Sequence, residues 1–146
     1  MNNLKCEKLG LNLEIICKEL RYSFIENLKF RVNKTIIDVS KYLKNGWRVK
    51  DSGGYYTDFN EKIIHVMFIK LLSRKDQRLH IFSTFHEIAH HKLHNQESSK
   101  KYSRLQLELE AWTETINLLR KYKTVFPRKV VLLDHIFDSI KSQIDK

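Results

Sequence analysis

The chain has 146 residues, a length typical of one domain, and 42% of them are hydrophobic, which is enough for one modest core. Four glycines and one proline exclude collagen-like, linker-like and low-complexity chains. The formal net charge is +10, and the basic residues are spread along the chain rather than collected in a tail. Such a diffuse basic surface favours acidic partners or nucleic acid, but it defines no chemistry.

The N-terminal stretch and the cysteines predict a cytoplasmic protein without a membrane segment. The N-terminus meets a charge at Lys5 and has no apolar run that could serve as the core of a secretory signal. The longest apolar stretch, 63–72, is interrupted by polar residues and is shorter than the roughly 18 residues that a membrane span needs. Cys6 and Cys17 lack Cys-x-x-Cys spacing, so we expect two reduced thiols with packing or surface roles.

The first part of the chain predicts helices. Apolar residues at three-and-four spacing predict an amphipathic helix over about residues 13–28. A second helix is expected over about 33–43, and the pair Asn45-Gly46 is suited to end it in a left-handed conformation.

Short segments rich in β-branched and aromatic residues then predict three strands, the last two forming a hairpin, over 47–50, 55–59 and 62–68. Helical periodicity predicts three further helices, over about 74–94, over about 103–122 with Ser103 as the N-cap, and from Pro127 onwards. This order predicts one α+β domain in which a small antiparallel three-stranded sheet packs against mainly helical structure. Its parts are N-terminal helices (1–45), the sheet and two helices (47–122) and a C-terminal helix (127–146).

The most specific motif in the chain is a His-Glu-x-x-His pattern. Side chains four residues apart project from one face of a helix, so His86 and His90 can bind one tetrahedral cation at roughly 2.0–2.1 Å each. Glu87 lies between them and can take a proton from a water on that cation. On a helical wheel both histidines fall within the apolar face, whereas His80 and His91 fall on the polar side. The alternative is a pair of core histidines without a metal.

A catalytic zinc site needs a third protein ligand and an open position for water. His94 continues the row of histidines, but eight residues of helix rise about 12 Å, so we expect it to cap the helix or to support a ligand. On the wheel of the following helix, Glu108 lies within the apolar arc, whereas Glu110 and Glu114 lie on the polar face. A buried carboxylate requires a cation or strong donors, and an ion pair of Glu108 with Arg104 is the alternative.

We therefore predict a Zn²⁺ ion bound by His86, His90 and Glu108, with Glu87 as the catalytic residue and general base. Two histidines from one helix and a glutamate from the next form a His₂Glu catalytic site. Spacing of this kind does not separate zinc from manganese or iron.

The segment from Thr84 to His94, together with Glu108-Leu109-Glu110-Ala111, resembles the ImmA/IrrE family of zinc metallopeptidases, a gluzincin-like group. The resemblance covers about residues 47–122. It implies a zincin-like active-site helix preceded by a short sheet, and it implies the same ligands and the same general base. Members of this family resemble proteases that cleave a helix-turn-helix repressor, so the resemblance also implies such a partner.

The preferred function is a cytoplasmic zinc endopeptidase that hydrolyses a peptide bond in a protein partner. We expect the substrate to bind in extended form along an edge of the sheet, at the strand over 55–59. Tyr55, Tyr56 and His65 are candidates for stabilising the oxyanion.

Two other functions remain open. The first is a non-catalytic, zinc-stabilised regulatory module that binds a DNA-binding protein, with its metal site closed by a fourth ligand such as His94 or His65. The second is a nucleic-acid-associated protease, which rests on a basic cluster that is more typical of a solvated face: Arg120, Lys121, Lys123, Arg128 and Lys129.

Overall fold

A computed structural model of the protein describes residues 4–8, 13–17, 19–21, 24–67, 77–97 and 100–144. These residues form sheets and α-helices together, in agreement with the predicted α+β class. The strands in chain order are β1 (Leu4–Lys8), β2 (Leu13–Cys17), β3 (Glu19–Arg21), β4 (Phe24–Glu26), β5 (Lys29–Val32), β6 (Thr35–Asp38), β7 (Arg48–Asp51), β8 (Tyr56–Asp58) and β9 (Ile63–Val66). The α-helices are α1 (Leu79–Leu93), α2 (Arg104–Leu119) and α3 (Lys129–Ile144).

The described strands form two sheets. One sheet has four antiparallel strands in the order β1-β2-β5-β6, and the other has five strands in the order β3-β4-β7-β9-β8. The three predicted strands are present as β7, β8 and β9, and β8 and β9 form the predicted hairpin, with Lys62 at a φ of 59° in its turn. Beyond residue 67 the predicted third strand lies outside the described residues.

The predicted sheet of three strands is too small, because the sheet has five strands, and the predicted antiparallel direction holds for every described pairing except that of β7 with β9. The strand β9 lies between β7 and β8 and runs parallel to β7, with Val49 opposite Ile64. On its other edge β7 pairs with β4, which brings two strands from the N-terminal region into the same sheet. Among the described strands, β8 consequently forms one edge of the five-stranded sheet, and β3 forms the other.

The predicted helix over about 13–28 is also wrong, because this region forms strands. The side chains of Leu13, Ile15 and Cys17 in β2 are buried, and Leu28, Phe30 and Val32 alternate in the same way around β5. Alternate burial is the period of a strand, in which successive side chains point to opposite faces. Both segments contribute to one apolar core, which also contains residues of the five-stranded sheet and of the helices.

The predicted helix over about 33–43 is replaced by a hairpin and a short 3₁₀-helix. The strands β5 and β6 pair antiparallel across Asn33, which adopts a φ of 55° at the turn. The 3₁₀-helix, Val39–Tyr42, follows β6 and is capped by the Asp38 side chain. Gly46 does adopt a left-handed φ of 85°, as expected of a terminating residue, but it follows 3₁₀ structure rather than an α-helix.

The helix α1 is the centre of the fold. The predicted helix began near residue 74, outside the described residues; α1 ends at Leu93, one residue before the predicted end. Twelve of its fifteen residues are buried, so the placement of His80 and His91 on a polar side is wrong. The reason is tertiary, since α1 packs against α2, against β8 and β9, and against the segment around Tyr42, whose ring contacts Phe85 edge-on.

The last two helices follow the prediction closely. Ser103 is the N-cap of α2, and its hydroxyl accepts a hydrogen bond from the backbone N–H of Gln106 at 3.1 Å. The helix α3 packs against α2 and begins two residues after Pro127. Within the described residues, none of the helices combines the length and the apolar character needed to cross a lipid bilayer.

Candidate metal centre

Three potential metal ligands meet where α1 and α2 pack against each other. His86 and His90 lie one turn apart on α1, and Glu108 faces them from the second turn of α2. The Nε2 of His86 lies 2.9 Å from Oε2 of Glu108, and the Nε2 of His90 lies 3.0 Å from Oε1. The two Nε2 atoms are 3.3 Å apart. The structure therefore brings together the three residues that were predicted as ligands.

The spacing of these atoms fits a single tetrahedral cation. Two ligand atoms that each lie roughly 2.0–2.1 Å from one tetrahedral ion are about 3.3 Å apart. The distance between the two imidazole nitrogens matches this value, and the nitrogen–oxygen distances are a few tenths of an ångström shorter. A small opening of the triad would accommodate an ion, and two imidazoles with one carboxylate are a donor set used by catalytic zinc sites. The residues present fit the metal.

Burial and the hydrogen bonds within the triad shift the pKa values of Glu108 and His90. Glu108 is 9% exposed and His86 is 5% exposed. Burial opposes the ionisation of Glu108, but hydrogen bonds from His86 and His90 hold the pKa of this carboxyl well below its usual range. Burial also opposes the charging of His90. The hydrogen bond to Glu108 and the negative charges of Glu87 and Glu108 outweigh this effect, so the pKa of His90 is raised. Glu108 is thus an ionised carboxylate facing the imidazoles.

Glu87, the predicted general base, is held by the edge strand β8. It is 7% exposed, and the hydroxyl of Thr57 lies 3.0 Å from its Oε1 and 2.9 Å from its backbone oxygen, so that it can donate to either. Burial raises the pKa of Glu87, although the neighbouring His86 and His90 act in the opposite direction. A raised carboxyl pKa is what general acid–base catalysis near neutral pH requires.

Two residues that were not predicted from the sequence, Trp112 and Ser139, contact the proposed ligands. The hydroxyl of Ser139, on α3, donates a hydrogen bond to Oε2 of Glu108 at 2.9 Å and accepts one from the indole Nε1 of Trp112 at 3.1 Å. The Trp112 ring stacks on His86, with centroids 4.1 Å apart and planes inclined by 19°. The sequence signal for Trp112 was its place four residues after Glu108, hence on the same helical face, and Ser139 had none.

The other candidate ligands lie elsewhere. His94 is the C-cap of α1, as predicted, and its Nε2 is 3.5 Å from Oε2 of Glu110. Glu114 pairs with Lys92 at 2.6 Å, and Arg104, the proposed alternative partner of Glu108, is exposed. Among the described residues, the group of mutually close potential ligands at this site contains His86, His90 and Glu108.

His65 and the two tyrosines serve the sheet and its contact with α1. The Nδ1 of His65 is 2.6 Å from the Ser52 hydroxyl, and its ring stacks on Tyr56 with centroids 3.9 Å apart. The hydroxyl of Tyr55 donates at 3.1 Å to the backbone oxygen of Met67 and lies 3.0 Å from Nδ1 of His80. These contacts account for the burial of His65 without a metal, and a role for any of the three in stabilising an oxyanion stays a prediction.

The basic cluster around the end of α2 lies on the surface. Its five members are all exposed: Arg120, Lys121, Lys123, Arg128 and Lys129. Exposure of this kind is typical of a solvated charged face.

Comparison with protein-family models, with curated proteins and with solved structures finds no match to this chain. The chemical interpretation therefore rests on the geometry of the site and on the motif.

Proposed function

We propose that this chain is a zinc-dependent endopeptidase that hydrolyses a peptide bond in a protein partner. The observation that carries the proposal is the triad of buried His86, half-buried His90 and buried Glu108, with Glu87 between the two histidines in sequence. Among divalent metals, zinc suits two imidazoles and one carboxylate in tetrahedral geometry. When bound there, a zinc ion would lower the pKa of a water to about 7 and polarise the scissile carbonyl.

Glu87 is the residue to which we assign the proton transfers. As a carboxylate it takes a proton from the attacking water, and as a carboxylic acid it returns that proton to the leaving amine. Both roles require a carboxyl that can gain and lose a proton near neutral pH. Burial raises the pKa of Glu87 in this direction, and the neighbouring His86 and His90 oppose the rise. Thr57 orients the Glu87 carboxyl through its hydrogen bond at 3.0 Å.

The position of β8 supports an extended binding mode for the substrate. This strand forms the edge of the five-stranded sheet, and its central residue Thr57 contacts Glu87 directly. A peptide that added a further antiparallel or parallel strand at this edge would pass beside the proposed general base. We propose β8 as that docking edge. The resemblance to the ImmA/IrrE family, with its zincin-like active-site helix, suggests a helix-turn-helix repressor as the partner.

The test uses Glu87→Gln in the full-length chain. Wild-type protein and variant are loaded with zinc, their metal content is measured, and both are incubated with a peptide library prepared from a digested proteome. Mass spectrometry of new termini should detect cleavage by the wild type, and Glu97→Gln, a change at an exposed glutamate, should behave likewise. Glu87→Gln should keep its zinc and lose cleavage by roughly 10²–10⁴-fold.

Two results would contradict the proposal. Equal cleavage by Glu87→Gln and wild type would exclude Glu87 as the base, and wild-type protein that takes up no zinc would exclude the metal site. Zinc binding without cleavage by any form, together with repressor binding that survives Glu87→Gln, would instead indicate the non-catalytic regulatory module.

A further inference from the structure

The proposed ligands are connected to helix α3 by a short chain of hydrogen bonds. Ser139 lies 31 residues beyond Glu108 in sequence, and its hydroxyl is 2.9 Å from Oε2 of Glu108. The indole Nε1 of Trp112 is 3.1 Å from the same hydroxyl oxygen. All three side chains are at least partly shielded from solvent, and Glu108 and Trp112 are buried.

The direction of these hydrogen bonds is fixed by the chemistry of the groups. An indole N–H can only donate, so the Ser139 oxygen accepts from Trp112. The single hydroxyl hydrogen of Ser139 is then free to donate to Glu108, which as a carboxylate can only accept. Both hydrogen bonds therefore run in the same direction, from Trp112 to Ser139 and from Ser139 to Glu108. Hydrogen bonds in such a chain polarise and strengthen one another.

Trp112 also constrains a second ligand. The Trp112 ring stacks on the imidazole of His86, with centroids 4.1 Å apart. The ring of His135 contacts the Trp112 ring edge-on, with centroids 5.5 Å apart. The Nδ1 of His86 is buried and has no hydrogen-bond partner in the described part of the chain. Metal-binding histidines are usually oriented by a hydrogen bond on that second nitrogen. At His86 the stacked indole can take over this orienting role, together with the edge-on ring of His90.

We propose that Trp112 and Ser139 form one positioning relay for the metal-binding triad, in which Trp112 orients His86 and, through Ser139, Glu108. The inference rests on the proposed metal site, since it assigns both residues a role in metal affinity rather than in the chemical step. It also makes α3 part of the site, because Ser139 contacts the same oxygen of Glu108, Oε2, that faces His86. Both residues act through the proposed ligands that they contact, so both are positioning residues.

The experiment measures zinc affinity by competition with a chromophoric chelator, without any substrate. Ser139→Ala removes the donor to Glu108 and should weaken zinc binding by roughly 10–100-fold, the usual effect of losing such a supporting contact. Ser139→Thr keeps a hydroxyl and should restore most of the affinity. Ser142→Ala, at an exposed position on the same helix, is the matched control and should bind zinc as the wild type does.

Trp112→Phe separates the two functions of the indole. Phenylalanine retains an aromatic ring against His86 but has no N–H for Ser139, so its zinc affinity should fall between that of wild type and Ser139→Ala. If the residues act in series, the double variant Ser139→Ala with Trp112→Phe should bind zinc no more weakly than Ser139→Ala alone. Thermal unfolding of each metal-free variant checks that it is folded.

The possible failures are distinguishable. Wild-type protein that binds no zinc would overturn the proposed function. Wild-type protein that binds zinc, with Ser139→Ala binding equally tightly, would overturn the relay and leave the proposed function standing. Fully additive losses in the double variant would also overturn the relay, because they would show two independent contacts.

Discussion

Replacing Glu108 by glutamine tests whether the triad is a metal site or only a buried polar cluster. Glutamine has nearly the same shape, but it lacks the negative charge that faces Nε2 of His86 at 2.9 Å and Nε2 of His90 at 3.0 Å. We expect Glu108→Gln to remain folded and to lose the stabilisation that zinc gives to the wild type. The measurement is thermal unfolding of chelator-treated protein, with and without added zinc.

The expected size follows from linkage. A ligand present at 100 times its Kd stabilises the folded state by about 2.7 kcal/mol. For a domain of this length a change of 1 kcal/mol moves Tm by roughly 2–4 °C. Zinc at that concentration should therefore raise the wild-type Tm by about 5–11 °C, whereas Glu108→Gln should show almost no change.

The metal-free proteins provide an independent comparison. Without zinc, Glu108→Gln should be less stable than wild type by about 1.5–3 kcal/mol, the worth of a hydrogen bond to a charged group. Glu110→Gln is the matched control, because Glu110 lies on the same helix but faces His94 at 3.5 Å. It should keep the full zinc response. An equal zinc response in Glu108→Gln and wild type would refute Glu108 as a ligand, and a wild type without any response would refute the metal centre.

Two further predictions concern residues around the site and the helix that carries Glu108. Thr57→Val removes the hydroxyl that contacts Glu87 and should lower kcat for the library peptides by roughly 10–100-fold, since a hydrogen bond to a charged group contributes about 1.5–3 kcal/mol. The zinc affinity of Thr57→Val should equal that of the wild type. The control is Thr113→Val, which removes an exposed hydroxyl on α2 and should leave kcat unaltered. A loss of zinc by Thr57→Val would show instead that β8 supports the ligands. Ser103→Ala removes the N-cap of α2 and should lower the free energy of unfolding by about 1 kcal/mol in urea denaturation. Unchanged stability would mean that packing alone fixes the start of α2.

The ligands were predictable because their arrangement is largely local. The relation of His86 to His90 depends only on the pitch of one helix, and α1 has that pitch. Glu108 required one further step, that the apolar arc of the next helix faces α1, and the burial of Glu108 confirms it. Helical periodicity thus contained most of the information about the triad, while the metal and the reaction stay predictions.

The N-terminal region was not predictable from the same signal. The apolar residues on which the helix was predicted satisfy three-and-four spacing, whereas Leu13, Ile15 and Cys17 alternate in the way that a strand requires. The choice between the two periods is made by pairing partners distant in sequence, as when Ile15 lies opposite Phe30 in the four-stranded sheet. Two asparagines in left-handed conformations, Asn27 and Asn33, are the local signals that indicate turns there.

The supporting residues were missed for a related reason. Ser139 meets Glu108, and Thr57 meets Glu87, only because separate elements pack onto the helices that carry these carboxylates. Their sequence separations of 31 and 30 residues are far larger than the few residues over which a helical or strand period relates side chains. A serine and a threonine in such positions are indistinguishable from ordinary surface residues until the packing is known.

The burial of α1 itself favours a functional explanation of its polar residues. A helix that is covered on nearly every side would be more stable with apolar residues throughout, because buried ionisable groups lose hydration that their partners replace only in part. Yet the middle of this helix carries His86 and Glu87 at 5% and 7% exposure, facing a third ionisable group, Glu108, at 9%. Ionisable residues concentrated in the core at a cost to stability are characteristic of sites where chemistry requires them. A metal ion would supply the positive charge that makes this arrangement favourable, so the stability of the fold and the proposed activity depend on the same three ligands.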